Sequence, residues 1–255
     1  MTQRWPARLW LVRHGQSAGN VARDAALSAK LHRIALDGRD MDIPLSPLGE
    51  RQSHALGDWF SHRPPEERPD VLLCSPYRRA LQTARLFREA GGSMGDDPIC
   101  ADERLREKEF GILDGLTGAG IAQGQPDQAE FRRLLGKFYH RPPGGESWCD
   151  VILRLRSVLD TISLHYAERR VMIVCHQVVV LCLRYILEGL DESQILKIDA
   201  EARVANCSVT EYRFDPTASQ SRGGLILVRY NDALALTEEG EASTDAPDLP
   251  VAARG

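Results

Sequence analysis

A chain of 255 residues, 43% of them apolar, is long enough to bury the core of one larger α/β domain, and a single domain is the expectation. Its formal net charge of −4 excludes the strongly basic footprint that draws proteins to nucleic acid or anionic lipid, so any affinity for anions must be local. None of the six cysteines forms a CxxC pair and most lie in or beside apolar runs, a pattern that suits reduced thiols in a cytoplasm; no signal-peptide h-region opens the chain and no run reaches membrane-spanning length.

From Arg8 to Val12 a short apolar run leads straight into RHGQSAGN, the order expected of a buried parallel strand that delivers a polar loop at its C-terminal edge. Residues 21–41 carry Ala, Leu and Ile at helical spacing among Arg, Lys and Asp. This stretch reads either as a lid of one or two amphipathic turns or as an ordinary surface insertion. Ser46 is placed as an N-cap with Pro47 as the first helical residue of the next helix, which RPPEERPD then ends. DVLLCS is a second buried strand, followed by a helix over about 76–90 and a glycine-rich turn from Gly91 to Gly95. The most regular helix follows GES, with Val151, Leu155, Val158, Leu159 and Ile162 on one face; VMIVC is the next strand and another helix starts after His176. NCSVTEYRF and GLILVRYN are two strands, a hairpin or adjacent edge strands, joined by a polar loop from Asp215 to Gly223. The domain therefore spans 1–236, and residues 237–255, rich in Glu, Asp, Pro and Gly, are expected to be a disordered acidic tail.

Four segments hold residues suited to chemistry on a tetrahedral anion. His14 follows the first strand between Arg13 and Gly15, with Ser17 and Asn20 placed to donate hydrogen bonds and small residues leaving the backbone open. A lone RHG is a weak signal, and by itself His14 reads as a satisfied histidine at a strand end. Arg79 stands one turn into the helix after the second strand, where its guanidinium can reach back over the strand edge. Glu107 precedes an aromatic residue and a glycine turn, a position that alone reads as a surface carboxylate. His176 interrupts an otherwise apolar run between strand and helix. An ionisable group there is costly unless paired, which points to a functional role.

Taken together, in this order, the four segments resemble the histidine phosphatase superfamily in its phosphoglycerate mutase-like branch, from Arg8 to about Asn231. The resemblance implies a three-layer α/β/α sandwich around a mostly parallel central sheet. It implies that His14 is the nucleophile, that Arg13, Arg79 and His176 form the phosphate pocket, and that Glu107 is the proton donor. KFYHRPPGGESW and VCHQVVV are most similar to the bisphosphatase domain of the bifunctional fructose-2,6-bisphosphate enzymes. Lys137, Gly145 to Ser147 and Gln177 fall on matching positions, and Arg132 or Arg133 falls near a substrate arginine. Two positions depart from that pattern: Gly118 or a neighbour replaces a sugar-contacting tyrosine, and Leu181 replaces an arginine, so a second phosphate would lose partners. Mutase members carry a Gly-Trp pair soon after the Asn20 position, and here 21–41 stands instead, which ranks hydrolysis above mutase chemistry and both above an inactive phosphate-binding module.

The expected activity is hydrolysis of a small phosphorylated metabolite, such as a sugar phosphate, through a phosphohistidine. The substrate-binding residues are expected to be Ser17, Asn20, Arg132, Lys137 and Gln177. No cofactor is expected, and no Cys/His/Asp cluster has metal-ligand spacing, so the cationic side chains are expected to do what magnesium does elsewhere. Neither nucleic acid nor membrane is an expected partner.

Overall fold

The computed structural model describes residues 3–218 and 223–246. The apolar run after Arg8 forms strand β1 (Arg8–Arg13), and its loop turns into helix α1 (Ala18–Ser28). A short 3₁₀ turn at Asp40–Asp42 precedes α2 (Pro47–Ser61), which Ser46 caps by accepting from the Gly49 N–H, as the Ser-Pro signal predicts. Next come β2 (Val71–Cys74), α3 (Arg78–Glu89) and the two-residue β3 (Cys100–Ala101). Helices α4 (Gly118–Gly124), α5 (Pro126–Tyr139) and α6 (Trp148–His165) follow. Then β4 (Arg170–Cys175), α7 (Gln177–Leu187) and α8 (Glu192–Glu201) lead to β5 (Val209–Asp215), β6 (Gly224–Asp232) and the short α9 (Leu234–Glu238).

The six strands among the described residues make one mixed sheet in the order β3-β2-β4-β1-β5-β6. Pairs β3–β2, β2–β4 and β4–β1 are parallel, whereas β5 runs antiparallel to both β1 and β6. Period-two alternation splits each central strand between two cores. Leu9 and Leu11 of β1 and Val171 and Ile173 of β4 pack with Leu155, Ile162 and Val179 of α6 and α7. Trp10, Val12, Met172 and Val174 face the other way, onto Leu56, Phe60 and Phe87 of α2 and α3 and Leu236 of α9. The result is the expected α/β/α sandwich in one domain. Burial on both sides explains why β1, β2 and β4 read as unbroken apolar runs.

Two expectations change. The 21–41 stretch is one helix that begins earlier, at Ala18, and ends at Ser28, followed by an extended loop and the 3₁₀ turn. The segment from Thr237 is not a loose tail as far as it is described. Helix α9 continues to Glu238, Gln52 donates to the Ala242 carbonyl at 2.8 Å, and the Asn206 N–H donates to the Thr244 carbonyl at 2.7 Å. Its backbone finds fixed partners in the domain, which composition alone does not reveal. Residues 247–255 of the expected tail lie outside the described residues. No helix among the described residues is long and apolar enough to cross a membrane.

Candidate active site

Three parallel strands end side by side at one edge of the sheet, and each releases a polar residue there. Register pairs Arg13 of β1 with Cys175 of β4, and Cys74 of β2 with Val174 of β4, so the next residues, His14, His176 and Ser75, emerge together. The backbone locks this arrangement: the His14 N–H donates to the Cys175 carbonyl and the Ser75 N–H to the Val174 carbonyl, both at 3.0 Å. The loop after His14 passes against the start of α2 so closely that a Cβ on Gly15 would meet the Gly49 carbonyl oxygen at 2.5 Å. One on Gly49 would meet the Gln16 carbonyl oxygen at 1.9 Å. The glycine of RHG is thus a packing requirement that brings the loop down onto α2.

His14 is fully buried, and its ring proton is assigned by its neighbours. Nδ1 lies 2.7 Å from the Gly15 carbonyl oxygen, which can only accept, so Nδ1 carries the hydrogen. Nε2 keeps its lone pair and accepts from Arg79 Nε at 3.2 Å. The His176 ring centroid lies 5.1 Å from that of His14, and its Nε2 is 2.8 Å from Ser75 Oγ. Arg79 is 1% exposed, carried inward at the start of α3, with Thr83 one turn on accepting from the Gly15 N–H at 3.0 Å. Arg13, buried at the end of β1, donates Nη1 to the Val204 carbonyl at 2.6 Å and Nη2 to the Ala246 carbonyl.

Glu107 is 1% exposed, and its Oε1 accepts from the Lys108 N–H at 2.7 Å. The loop that carries it is clamped from behind: Arg154 of α6 donates to the Glu107 carbonyl at 3.2 Å and to Glu146 Oε1 at 2.9 Å, and Arg106 donates to the same Glu146 oxygen at 2.8 Å. Burial pushes the Glu146 carboxyl up, but the Arg154 hydrogen bond and charge outweigh it and hold the group below the ordinary carboxylate range. The GES motif therefore supplies a buttress for the Glu107 loop, while its serine caps α6 through a capping box with Asp150.

The residues expected to bind substrate are placed less uniformly. Ser17 and Asn20 are buried, but the Ser17 hydroxyl caps α1 by accepting from the Asn20 N–H at 3.1 Å, and Asn20 Oδ1 accepts from the Ser17 N–H at 2.9 Å. Asn20 Nδ2 points onward, to the Ala246 carbonyl at 3.1 Å. Gln177 opens α7 and is 7% exposed. Of the two candidate arginines, Arg133 turns to the surface, paired with Glu130, whereas Arg132 is half-buried near Lys108 and His140, where burial first and then the Arg132 charge lower the pKa of both groups. Lys137 is held by Asp199 of α8, with its ammonium 5.4 Å from the Trp148 ring centroid.

Sequence reasoning passed over Asp40, Ser75, Lys108 and Asn206. Asn206 Nδ2 donates to the His14 carbonyl at 2.9 Å, and Asp40 engages the Arg79 guanidinium. Ser75 had a signal, being the first polar residue after an apolar strand; the others sit in segments with no local pattern. Among the described residues no group of three or more His, Cys, Asp or Glu is placed to hold a metal ion.

Comparison with known proteins identifies the family of the chain. Residues 9–223 match the model of the histidine phosphatase superfamily, branch 1. The chain is 30% identical over 219 residues to a Caenorhabditis elegans 6-phosphofructo-2-kinase/fructose-2,6-bisphosphatase, covering 82% of this chain but only 42% of that protein. It is 31% identical to a 2,3-bisphosphoglycerate-dependent phosphoglycerate mutase 2 of Gloeobacter violaceus, covering 84% of this chain and 90% of the relative. Among solved structures, a mycobacterial glucosyl-3-phosphoglycerate phosphatase complexed with VO3 superposes with a TM-score of 0.67 at 27% identity, covering 89% of this chain and all of that one (100%). With most of its length matched by the family model, the chain belongs to the histidine phosphatase superfamily, branch 1.

Proposed function

We propose that this protein hydrolyses phosphomonoesters of small metabolites through a phosphohistidine on His14. The observation that carries the reading is the His14 ring: its proton is committed to the Gly15 carbonyl, leaving the Nε2 lone pair beside the Arg79 guanidinium. A neutral imidazole held with its nucleophilic nitrogen next to a phosphate-binding fork is what in-line displacement at phosphorus needs.

In the first step His14 Nε2 attacks phosphorus as the ester oxygen leaves. Arg13, Arg79 and His176 stabilise the charge on the three equatorial oxygens, and Glu107 donates its proton to the departing alkoxide. In the second step the Glu107 carboxylate takes a proton from water, whose oxygen displaces the histidine and releases inorganic phosphate. Burial of Glu107 and the buttress of Arg154 and Glu146 support its assignment as the acid. The protein side chains supply the positive charge in this scheme, so metal independence belongs to the same proposal. The relatives' names include a sugar bisphosphatase, a phosphoglycerate mutase and a sugar-phosphoglycerate phosphatase, which supports a phosphorylated sugar or glycerate as the substrate class.

Brief reaction with a ³²P-labelled phosphomonoester and an alkaline quench should leave acid-labile label on the wild-type chain and none on His14→Ala. Free phosphate should appear stoichiometrically with the alcohol. Label that persists in His14→Ala sinks the nucleophile, and phosphate recovered on a second position of the substrate, with none released, favours a mutase.

A further inference from the structure

Both arginines of the proposed pocket are already engaged by oxygens of the same chain. Asp40, in the 3₁₀ turn that ends the 21–41 stretch, faces Arg79 fork to fork. Arg79 Nη1 donates to Asp40 Oδ1 and Nη2 to Oδ2, each at 3.0 Å, and Nη1 also donates to the Asp40 carbonyl at 2.7 Å. From the opposite end of the chain, the Ala246 carbonyl accepts from Arg13 Nη2 and from Asn20 Nδ2. The segment that presents Ala246 is anchored by Thr244, whose Oγ1 donates to Asn206 Oδ1 at 3.0 Å and accepts from Gln52 Nε2 at 3.1 Å. Two segments with no sequence relation thus converge on the pocket, and each places an acceptor on a different pocket cation.

We propose that Asp40, seconded by the Ala246 carbonyl, competes with the substrate phosphate for the pocket arginines, so that phosphate enters by exchanging with these two acceptors and leaves when they return. The proposal rests on the assignment of Arg13, Arg79 and Asn20 to the phosphate pocket. A carboxylate matches the guanidinium fork in the same bidentate manner as two phosphate oxygens, which makes Asp40 a stand-in for half of the ligand. The exchange still favours substrate, since a phosphate dianion carries more charge than one carboxylate and can bond Arg79, Arg13 and Asn20 at once. The contact has two consequences. Ligands that present fewer anionic oxygens than a phosphate dianion fail to displace Asp40, which sharpens selection for phosphomonoesters. After hydrolysis Asp40 re-engages Arg79 and helps expel inorganic phosphate, limiting product inhibition. In this role Asp40 is a gating residue that acts through Arg79 and takes no part in bond making.

The test is calorimetric titration of inorganic phosphate into the full-length protein and its Asp40→Asn and Thr244→Val variants, with phosphate product inhibition measured in parallel. Asp40→Asn should lower the phosphate Kd by about tenfold, the scale of one hydrogen bond to a charged group, and should strengthen product inhibition and lower KM by a similar factor. Thr244→Val, which loosens the anchor of a neutral acceptor, should lower Kd by only about threefold. Should Asp40→Asn fold poorly, Asp40→Ser serves the same measurement. Unchanged or weakened phosphate binding in these variants, in a wild-type protein that does hydrolyse phosphomonoesters, overturns the competition and makes Asp40 a support for Arg79. A wild-type protein that neither binds phosphate nor turns over instead removes the pocket assignment on which the proposal rests.

Discussion

Lys108 shows how a single side chain reports on the site around it. It is 7% exposed, next to Glu107, with its ammonium 4.4 Å from the Phe110 ring centroid. Burial, reinforced by the Arg132 guanidinium, pushes it down from 10.5 to about 8 against the pull of Glu107 and Glu146. Unfolding restores the ordinary value, so between about pH 8 and 10.5 the unfolded chain binds the extra proton, and stability of the ligand-free protein should rise with pH through that window. Below about pH 8 the group is charged in both states, and its burial penalty stays constant. Lys108→Met should therefore flatten the slope and raise stability at pH 7 by about 3 kcal/mol or less, with a matching rise in melting temperature. Calorimetry of both chains from pH 7 to 10.5 checks this, and parallel curves would refute it. The adjacent Glu107 was legible in sequence only through family order, since its burial depends on the Arg154 buttress 47 residues away.

Helix α6 is the element whose sequence and structure agree most closely. The Ser147–Asp150 capping box starts it, and its periodic apolar face becomes the buried stripe of Val151, Leu155, Val158, Leu159 and Ile162. Leu155 is fully buried while Leu153, two residues earlier, is 72% exposed. Leu155→Ala should cost about 2–5 kcal/mol by emptying core volume, whereas Leu153→Ala should stay within about 0.5 kcal/mol. Urea unfolding of the pair measures the contrast, and equal losses would mean that the helix packs differently. Helix α5 shows the converse case. Phe131, Leu134 and Leu135 lie exposed and only Phe138 is buried, and Gly136 at φ +74° interrupts the helix, so no single apolar face announces it in the sequence. Strand β3, two exposed residues long, has no pattern to read.

At the scale of the whole molecule, the sheet brings His14, Ser75 and His176 from three separate strand-loop junctions to one edge, with Arg13 and Arg79 beside His14; phosphoryl transfer in other enzymes relies on divalent ions. Activity should accordingly survive exhaustive chelation unchanged. Turnover that disappears with chelator and returns with magnesium would show that the side chains alone do not suffice. The order of elements and the two-sided burial of β1, β2 and β4 were written in local patterns, because periodicity and strand-end position need only neighbouring residues to be read, whereas His14, Arg79, Glu107 and His176 were singled out by their joint order along the chain. Which of those residues meet, and what meets them, was decided by the tertiary structure. Arg79 reaches Asp40 across 39 residues, His176 reaches Ser75 across 101, and Arg13 reaches Ala246 across 233. Contacts at such separations depend on sheet order and on where loops return, and they leave no trace in the composition of the segments they join. For that reason a stretch that reads as a lid or an insertion, and another that reads as a loose tail, turn out to place Asp40 on Arg79 and Ala246 on Arg13.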